Sequence, residues 1–352
     1  MGVKQLLYNI KKGKDGKNVG IPTGLLKLNK VIYGIQRKCL ITIGADSGSG
    51  KTSFAVDQFV YELIKNKGDN PVNILYYSFE MSGDILYAKI LSLYIYDTFN
   101  KVITYETILS LLQPISDENY EYIKKSEEWL FKLQESFTIY DKALTPSGIY
   151  ATSKNWLKEF GEFIEINEHK EDYREYDSQQ YKVILIDHVG LIAGSDSKKV
   201  KIDTVADYMI YFRNKCNITG IFIQQLNRNS KSMDRKTNGY ELVGIEDFKD
   251  SSGTTDASEI VLALFYPYRE KIARCENYPI QNVLKHRFRL LEVLKNRYGK
   301  ADINIGCTFH GEIGLFKELP KPEKIGDYAP YLELDYKEEK QIDNIENQFI
   351  II

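Results

Sequence analysis

One stretch constrains this chain more than any other: Ile41-Thr42-Ile43-Gly44-Ala45-Asp46-Ser47-Gly48-Ser49-Gly50-Lys51-Thr52. An apolar run feeds a Gly- and Ser-rich turn, which ends in Gly-Lys-Thr and opens into Ser53-Phe54-Ala55-Val56. That is the strand, loop and helix start of a Walker A phosphate-binding loop. Small residues let successive backbone N–H groups face one concavity and hold phosphate oxygens, and the following helix adds the positive end of its dipole. On this reading Ala45, Asp46, Ser47, Gly48, Ser49, Gly50, Lys51, Thr52 and Ser53 bind nucleotide phosphates. Lys51 reaches the β- and γ-phosphates and the Thr52 hydroxyl ligates Mg²⁺. The first motif position is Ala45 instead of Gly, which is tolerated where φ stays negative.

At 352 residues the chain is long enough for one large α/β domain with appendages, or for two domains. Its 47 basic and 49 acidic side chains leave a net charge of −2, so no global basic field marks a nucleic-acid binder. Any such surface must be local. Cys39, Cys216, Cys275 and Cys307 are scattered without metal-ligand spacing, which points to small buried residues in a reduced compartment. No continuous apolar core marks a signal peptide and no apolar run approaches a membrane span. The expected location is the cytoplasm, with no membrane partner.

Val3, Leu6, Leu7 and Ile10 recur at i, i+3, i+4 and i+7, so residues 3–10 are expected as an amphipathic helix. Residues 11–17 follow as a flexible basic linker. So short a helix is unstable alone and must pack on its own domain or on a neighbouring copy. Buried strands are expected at residues 74–79, 183–187, 221–223, 260–265, 290–294 and 303–305. Glu80 ends the first of these, on a strand expected beside the Walker A strand, where a carboxylate can polarise an attacking water. Asp187 ends Val183-Ile184-Leu185-Ile186, the Walker B pattern, and is placed to hold Mg²⁺ directly or through water. Gln224-Gln225 follow Ile221-Phe222-Ile223, where a polar side chain can sense a γ-phosphate.

Other stretches speak less clearly. Residues 84–135 divide into several helices with Tyr and Leu faces. Thr145-Pro146 carries the N-cap and N1 proline signature of a helix that includes Trp156 and Leu157 and reaches about residue 163. Residues 165–180 are polar and are expected as a surface loop or helix end. Residues 229–255 are too long and hydrophilic for an ordinary connection; their residue types suit a solvated loop or one that tracks a nucleic-acid backbone. The basic insertion at 266–289 has no legible conformation. Residues 319–352 mix Pro, Glu, Asp and Lys and end in Phe349-Ile350-Ile351-Ile352, which suggests a mobile acidic tail with an apolar tip.

The order of these pieces resembles the RecA-like ATPase domain of DnaB-type hexameric replicative DNA helicases. Thr23-Gly24, Leu28-Asn29 and Gly34-Ile35-Gln36 look like the family's entry segment before Walker A. Ser78-Phe79-Glu80-Met81-Ser82 is close to its Ser-Leu-Glu-Met-Ser, and Leu144-Thr145-Pro146 matches its helix start before Walker B. Gln225-Leu226-Asn227-Arg228 matches Gln-Leu-Asn-Arg of its Ser-Gln-Leu-Asn-Arg, and Asp247-Phe248-Lys249-Asp250-Ser251 resembles Asp-Leu-Arg-Glu-Ser. Lys295-Asn296-Arg297 resembles Lys-Gln-Arg. The resemblance covers about residues 20–318. It departs at Asp46, where the family usually has Arg, at His188, which replaces a Tyr, and at Thr254-Thr255-Asp256-Ala257-Ser258-Glu259.

The resemblance implies an α/β fold of the RecA-like P-loop NTPase kind, a central, mostly parallel twisted sheet flanked by helices. It implies Glu80 as catalytic base, Gln225 as γ-phosphate sensor, and Lys295 with the arginine finger Arg297 acting on a neighbouring subunit. ATP and Mg²⁺ are the implied cofactors. The implied partners are single-stranded or forked DNA, further copies in a hexameric ring, and a primase or loader. Arg228, Lys231, Arg235, Lys236 and Lys249 are the candidate DNA contacts. The expected organisation is residues 1–19 as helix and linker, 20–318 as the ATPase domain and 319–352 as the tail. The family's N-terminal helical domain is expected to be missing, a truncation that fits a compact phage-encoded helicase acting in the host cytoplasm or a repurposed RecA-like ATPase, with the 3–10 helix as a clasp between subunits. Two further readings stand beside the helicase: a RecA-like recombination or accessory ATPase that binds DNA without unwinding it, and a structural ATP-binding assembly module. The intact set of Lys51, Glu80, Asp187 and Arg297 argues against the last.

Overall fold

A computed structural model of the chain describes residues 3–14, 16, 18–167, 170–226, 242–248 and 252–334. In chain order the strands are β1 (Cys39–Ala45), β2 (Val72–Ser78), β3 (Phe137–Tyr140), β4 (Gly161–Asn167), β5 (Lys170–Glu175), β6 (Tyr181–Asp187) and β7 (Thr219–Gln225). They continue with β8 (Ile260–Phe265), β9 (Arg274–Cys275), β10 (Tyr278–Pro279), β11 (Phe288–Asn296), β12 (Ile303–His310) and β13 (Leu315–Glu318). Nine of them form one sheet in the order β13-β12-β11-β8-β1-β7-β6-β2-β3. From β8 to β3 all neighbours are parallel. The β11, β12 and β13 meander extends the sheet antiparallel beyond β8. This is the expected α/β class.

Why these stretches form the centre follows from burial on both faces. All seven residues of β1 and of β6 are buried, so their sequences are near-continuous apolar runs instead of alternating ones. Alternation still sorts the side chains between two cores. Ile41, Ile43, Val183 and Leu185 face the helices Gly83–Phe99 and Asp117–Ser136, represented there by Leu86, Ile90 and Leu133. Leu40, Ile184 and Ile186 face the other way, onto Ile149, Trp156, Met209 and Phe212 of the helices Pro146–Leu157 and Lys198–Cys216. All four cysteines are free and buried, as expected. Among the described residues no helix is long and apolar enough to cross a membrane.

The structure departs from the sequence expectations in several places. The first helix runs Val3–Lys14, through most of the supposed linker, and Val3, Leu6, Leu7 and Ile10 are all more than half exposed instead of packing on their own domain. Thr145 caps the Pro146–Leu157 helix as expected, its Oγ1 accepting from Gly148 N–H at 3.2 Å, but the helix stops at Leu157. There the Leu157 carbonyl accepts from Tyr173 Oη at 2.7 Å. Residues 165–167 and 170–175 are not a loop: they belong to β4 and β5, which pair antiparallel. Charge holds this hairpin down, with Lys154 Nζ 2.7 Å from Glu171 and the fully buried Lys182 paired with Glu175. Polar strands anchored by ion pairs carry no apolar alternation, which is why they escaped the pattern. Gly161 is required there, because a Cβ would stand 2.4 Å from the Tyr173 ring.

The insertion at 266–289 holds the β9–β10 hairpin, whose Cys275 and Tyr278 join Val261, Phe265 and Leu290 in a third core. Residues 319–334 pack on that same core through Leu319, Ile325, Tyr328, Tyr331 and Leu332, so this part of the supposed tail belongs to the domain. Residues 335–352, including the apolar tip, lie outside the described residues.

Behind the phosphate loop the Lys51–Val56 helix passes through a π turn, Asp57–Tyr61, into Glu62–Lys65. Asp57 is fully buried, and its Oδ2 accepts from Phe316 N–H of β13 at 2.7 Å and from Gln58 Nε2 at 2.8 Å. Burial, reinforced by the Glu62 charge, raises its carboxyl well above the ordinary 3.8, against the pull of the Phe316 and Gln58 donors. A raised folded-state pKa contributes stability that is full below the unfolded value and is lost as pH rises through the folded one. Asp57→Asn is therefore expected to stabilise the domain at neutral pH by about 1–2 kcal/mol and to flatten the loss of stability above pH 3.8. Gln58 Oε1 is buried without a partner and can take the new amide donor. Urea unfolding at several pH values checks this.

Candidate functional site

The loop after β1 is shaped by three glycines. A Cβ on Gly44 would stand 2.2 Å from the Phe248 ring. Past Ala45 the chain turns tightly: Ser49 N–H donates to the Asp46 carbonyl at 3.1 Å. Gly48 and Gly50 follow with φ of 71° and 95°, the left-handed region that costs glycine least. Phe54 N–H then closes the helix onto the Gly50 carbonyl at 2.8 Å. This leaves Lys51 and Thr52 only 7% and 8% exposed at the mouth of the loop.

Lys51 Nζ lies 3.2 Å from Glu80 Oε2. The strand leading to Glu80 is not beside β1, as expected from sequence: β7 and β6 lie between them. Glu80 reaches Lys51 because it stands beyond the end of β2 in a turn folded back over β6. Phe79 N–H donates to the Asp187 carbonyl at 2.7 Å, and Ser78 Oγ donates to the Met81 carbonyl at 2.6 Å.

Asp187 ends β6 fully buried. Its Oδ2 accepts from Tyr76 Oη at 2.9 Å, while Oδ1 is buried with no hydrogen-bond partner. Burial pushes the carboxyl up to about 6, opposed by the Thr52 and Tyr76 hydroxyls and by the Lys51 charge. A buried carboxylate oxygen without a donor, next to a threonine hydroxyl, is a pair that a hard cation completes. Among the described residues no group of three or more His, Cys, Asp or Glu forms a protein-only metal cage. A site of one carboxylate and one hydroxyl suits Mg²⁺, which takes its remaining ligands from phosphate and water. Burial and the Lys51 charge lower the pKa of His188, and its Nδ1 accepts from Gly190 N–H at 3.1 Å.

Gln225 pairs in register with Ala45 and is exposed at the edge of the loop. Its neighbour Gln224 points the other way and is buried, donating to the Phe248 carbonyl at 3.1 Å and accepting from Thr254 Oγ1 at 2.6 Å. Strand alternation thus separates a candidate sensor from a structural tie.

Lys295 and Arg297 do not join this constellation. β11 runs antiparallel to β8, and Lys295 and Asn296 pair with Val261 and Ile260 at the start of β8, whereas Ala45 pairs with Leu264 near its end. At ~3.3 Å per residue, Arg297 lies roughly 20 Å along the sheet from the level of the loop. Arg297 Nη1 stands 3.4 Å from Glu259, and Lys295 Nζ donates to the Thr255 carbonyl at 2.7 Å. Candidate DNA contacts Arg228, Lys231, Arg235, Lys236 and Lys249 lie outside the described residues. The segments flanking them, Leu226 and residues 242–248, sit at the loop's end of the sheet, with Leu226 N–H on the Ala45 carbonyl at 3.1 Å.

Three residues at the site were not singled out from sequence. Tyr76 holds Asp187, and Arg269 and Arg289 donate to carbonyls of the loop itself, at Ser47 and Ser49. The only signal for the arginines was the basic character of 266–289, and nothing local tied it to a loop more than two hundred residues earlier.

Residues 20–318 match the DnaB-like helicase C terminal domain family. The replicative DNA helicase DnaB of Rickettsia prowazekii (strain Madrid E) is 24% identical over 306 residues, 84% of this chain and 55% of that protein. The chain spans about half the length of the curated relatives it matches. Among solved structures, an isolated ATPase domain superposes with a TM-score of 0.67 at 16% identity, covering 91% of this chain and 99% of that one. The structure of a DnaB-like replicative helicase and its interactions with primase gives a TM-score of 0.65 at 16% identity, covering 91% of this chain and 67% of that one.

Proposed function

The chain belongs to the DnaB-like helicase C-terminal domain family, and from that premise we propose that it is the motor of a ring-forming, ATP-driven helicase that translocates on single-stranded DNA. One observation supports the reading: the residues proposed as catalytic lie at two ends of the sheet. Lys51, Thr52, Glu80 and Asp187 stand at one end, and Lys295 and Arg297 at the other. A head-to-tail neighbour brings the second group onto the first, and such contacts close a ring where the rotation allows.

Within one site, Lys51 exchanges Glu80 for the β- and γ-phosphate oxygens. The freed Glu80 carboxylate takes a proton from the attacking water as the bond from the γ-phosphorus to the ADP oxygen breaks. Thr52 and Asp187 would hold Mg²⁺, which would supply charge neutralisation during phosphoryl transfer. Gln225 reads the γ-phosphate at the loop's edge, and Arg297 with Lys295 from the neighbour stabilises the charge on the transferred group. The described segments on either side of the candidate DNA contacts, Leu226 and residues 242–248, lie at the loop's end of the sheet, which supports a coupling of hydrolysis to DNA there. The exposed apolar face of the Val3–Lys14 helix is the clasp on the next subunit. A hexamer, and docking of a primase or loader, complete the assembly.

The test is a forked DNA substrate with Mg²⁺ and ATP, followed by unwinding and by negative-stain imaging. Directional unwinding by rings is expected. Strand pairing without unwinding selects a recombinase, and hydrolysis that DNA does not stimulate selects a structural module.

A further inference from the structure

Two arginines unused by the chemistry above converge on the outer side of the phosphate loop. Arg289, on β11, is 3% exposed. Its Nε donates to the Ser49 carbonyl at 2.7 Å, and Nη1 donates to the carbonyls of His286 and Phe288, each at 2.8 Å. The Tyr266 and Phe309 rings flank the guanidinium, 3.6 Å and 5.0 Å from its carbon. Arg269 donates to the Ser47 carbonyl, and its Nη2 would stand 2.5 Å from a Cβ on Gly48. Among the described residues neither arginine forms an ion pair with a carboxylate.

The geometry gives these contacts a direction. In a trans peptide the C=O and the next N–H point opposite ways. Guanidinium groups on the Ser47 and Ser49 carbonyls therefore stand behind the N–H groups of Gly48 and Gly50, which face the other side of the loop. A cation on the carbonyl also polarises the peptide and strengthens its N–H as a donor. The Ser49 hydroxyl is buried without a partner, so the residue is held through its backbone, by N–H on the Asp46 carbonyl and by its own carbonyl on Arg289. A buried cation lacking a carboxylate is costly to fold, and burial lowers Arg289 to about 10, helped by the nearby Arg269 charge. An anion on the opposite face of the loop offsets that cost.

We propose that Arg289, with Arg269 outside it, is a positioning pair for the polyphosphate of the nucleotide. The two fix the Ser47 and Ser49 peptides with their N–H groups toward the phosphates, and they supply charge that favours ATP and ADP over AMP. This rests on the nucleotide site proposed above.

The full chain with Arg289→Met, Arg289→Lys or Arg269→Gln is titrated calorimetrically with ATP, ADP and AMP, and its melting is followed without nucleotide. Arg289→Met is expected to weaken ATP about 10-fold or more, ADP less and AMP not at all. KM should rise more than kcat falls. Arg289→Lys, which keeps the charge but not the planar fork, recovers part of the loss. Unchanged ATP affinity overturns the proposal, as does an equal loss for all three nucleotides that tracks a fall in melting temperature. If Arg289→Met does not fold, Arg269→Gln at an exposed position decides: a smaller loss with the same order of nucleotides supports the pair, and parental affinity overturns it. A parent chain that binds no nucleotide overturns the underlying site reading instead.

Discussion

Arg297→Ala protein is expected to bind ATP as the parent does and to hydrolyse it about 10³-fold or more slowly. The side chain is 54% exposed and pairs at 3.4 Å with Glu259 in its own subunit. Glu259, buried at 11% exposure, keeps its closer partner Arg213 at 2.6 Å when Arg297 is removed, so folding should be spared. The guanidinium stands at the opposite end of the sheet from Lys51 of the same chain, so binding within one subunit does not need it. Its loss is felt only when a neighbour's γ-phosphate develops charge in the transition state. Mixing Arg297→Ala with Glu80→Gln protein should restore part of the turnover. Some interfaces then combine an intact Glu80 from one chain with an intact Arg297 from the other. Steady-state hydrolysis on single-stranded DNA, read for each variant and for the mixture, checks this. Normal turnover by Arg297→Ala alone would remove the trans assignment.

Lys51→Ala should lower turnover by at least about 10²–10³-fold and weaken ATP binding with it, because in the proposed site Lys51 contacts the phosphates before and during reaction. Folding gives a control. Lys51 is nearly buried and pairs at 3.2 Å with the partly exposed Glu80, so the variant removes a desolvated charge and leaves its partner in contact with water. Melting temperature should hold or rise while activity is lost. A variant that binds ATP normally would place the phosphates somewhere other than the Gly44 to Thr52 loop.

Much of the site was legible in sequence because its chemistry is local. Gly48, Gly50, Lys51 and Thr52 are consecutive or nearly so, and the turn they form depends on backbone freedom and residue size. Glu80 and Asp187 were legible because each ends an apolar run, and the ends of such strands are where ligands gather in open α/β sheets. The β4–β5 hairpin was not legible, since ion pairs from Lys154 and Lys182 hold it, and those partners lie on other elements. The 319–334 segment looked like a tail because its few apolar residues, Leu319, Ile325, Tyr328 and Leu332, are spread among charges and reveal a face only against the third core.

The sequence by itself determined the glycine turn before Lys51, the strand ends that carry Glu80 and Asp187 and the class of fold, because steric and hydrogen-bonding rules between near neighbours dictate those features. Tertiary structure alone decided the strand order that sets β7 and β6 between Lys51 and the strand of Glu80. It alone decided which end of the sheet receives Arg297, and which arginines back the loop. Arg289 meets Ser49 across 240 positions of chain. No local preference encodes such a contact; it arises when a buried sheet fixes its register by packing both faces, and every side chain at a strand end is carried to its place by that register.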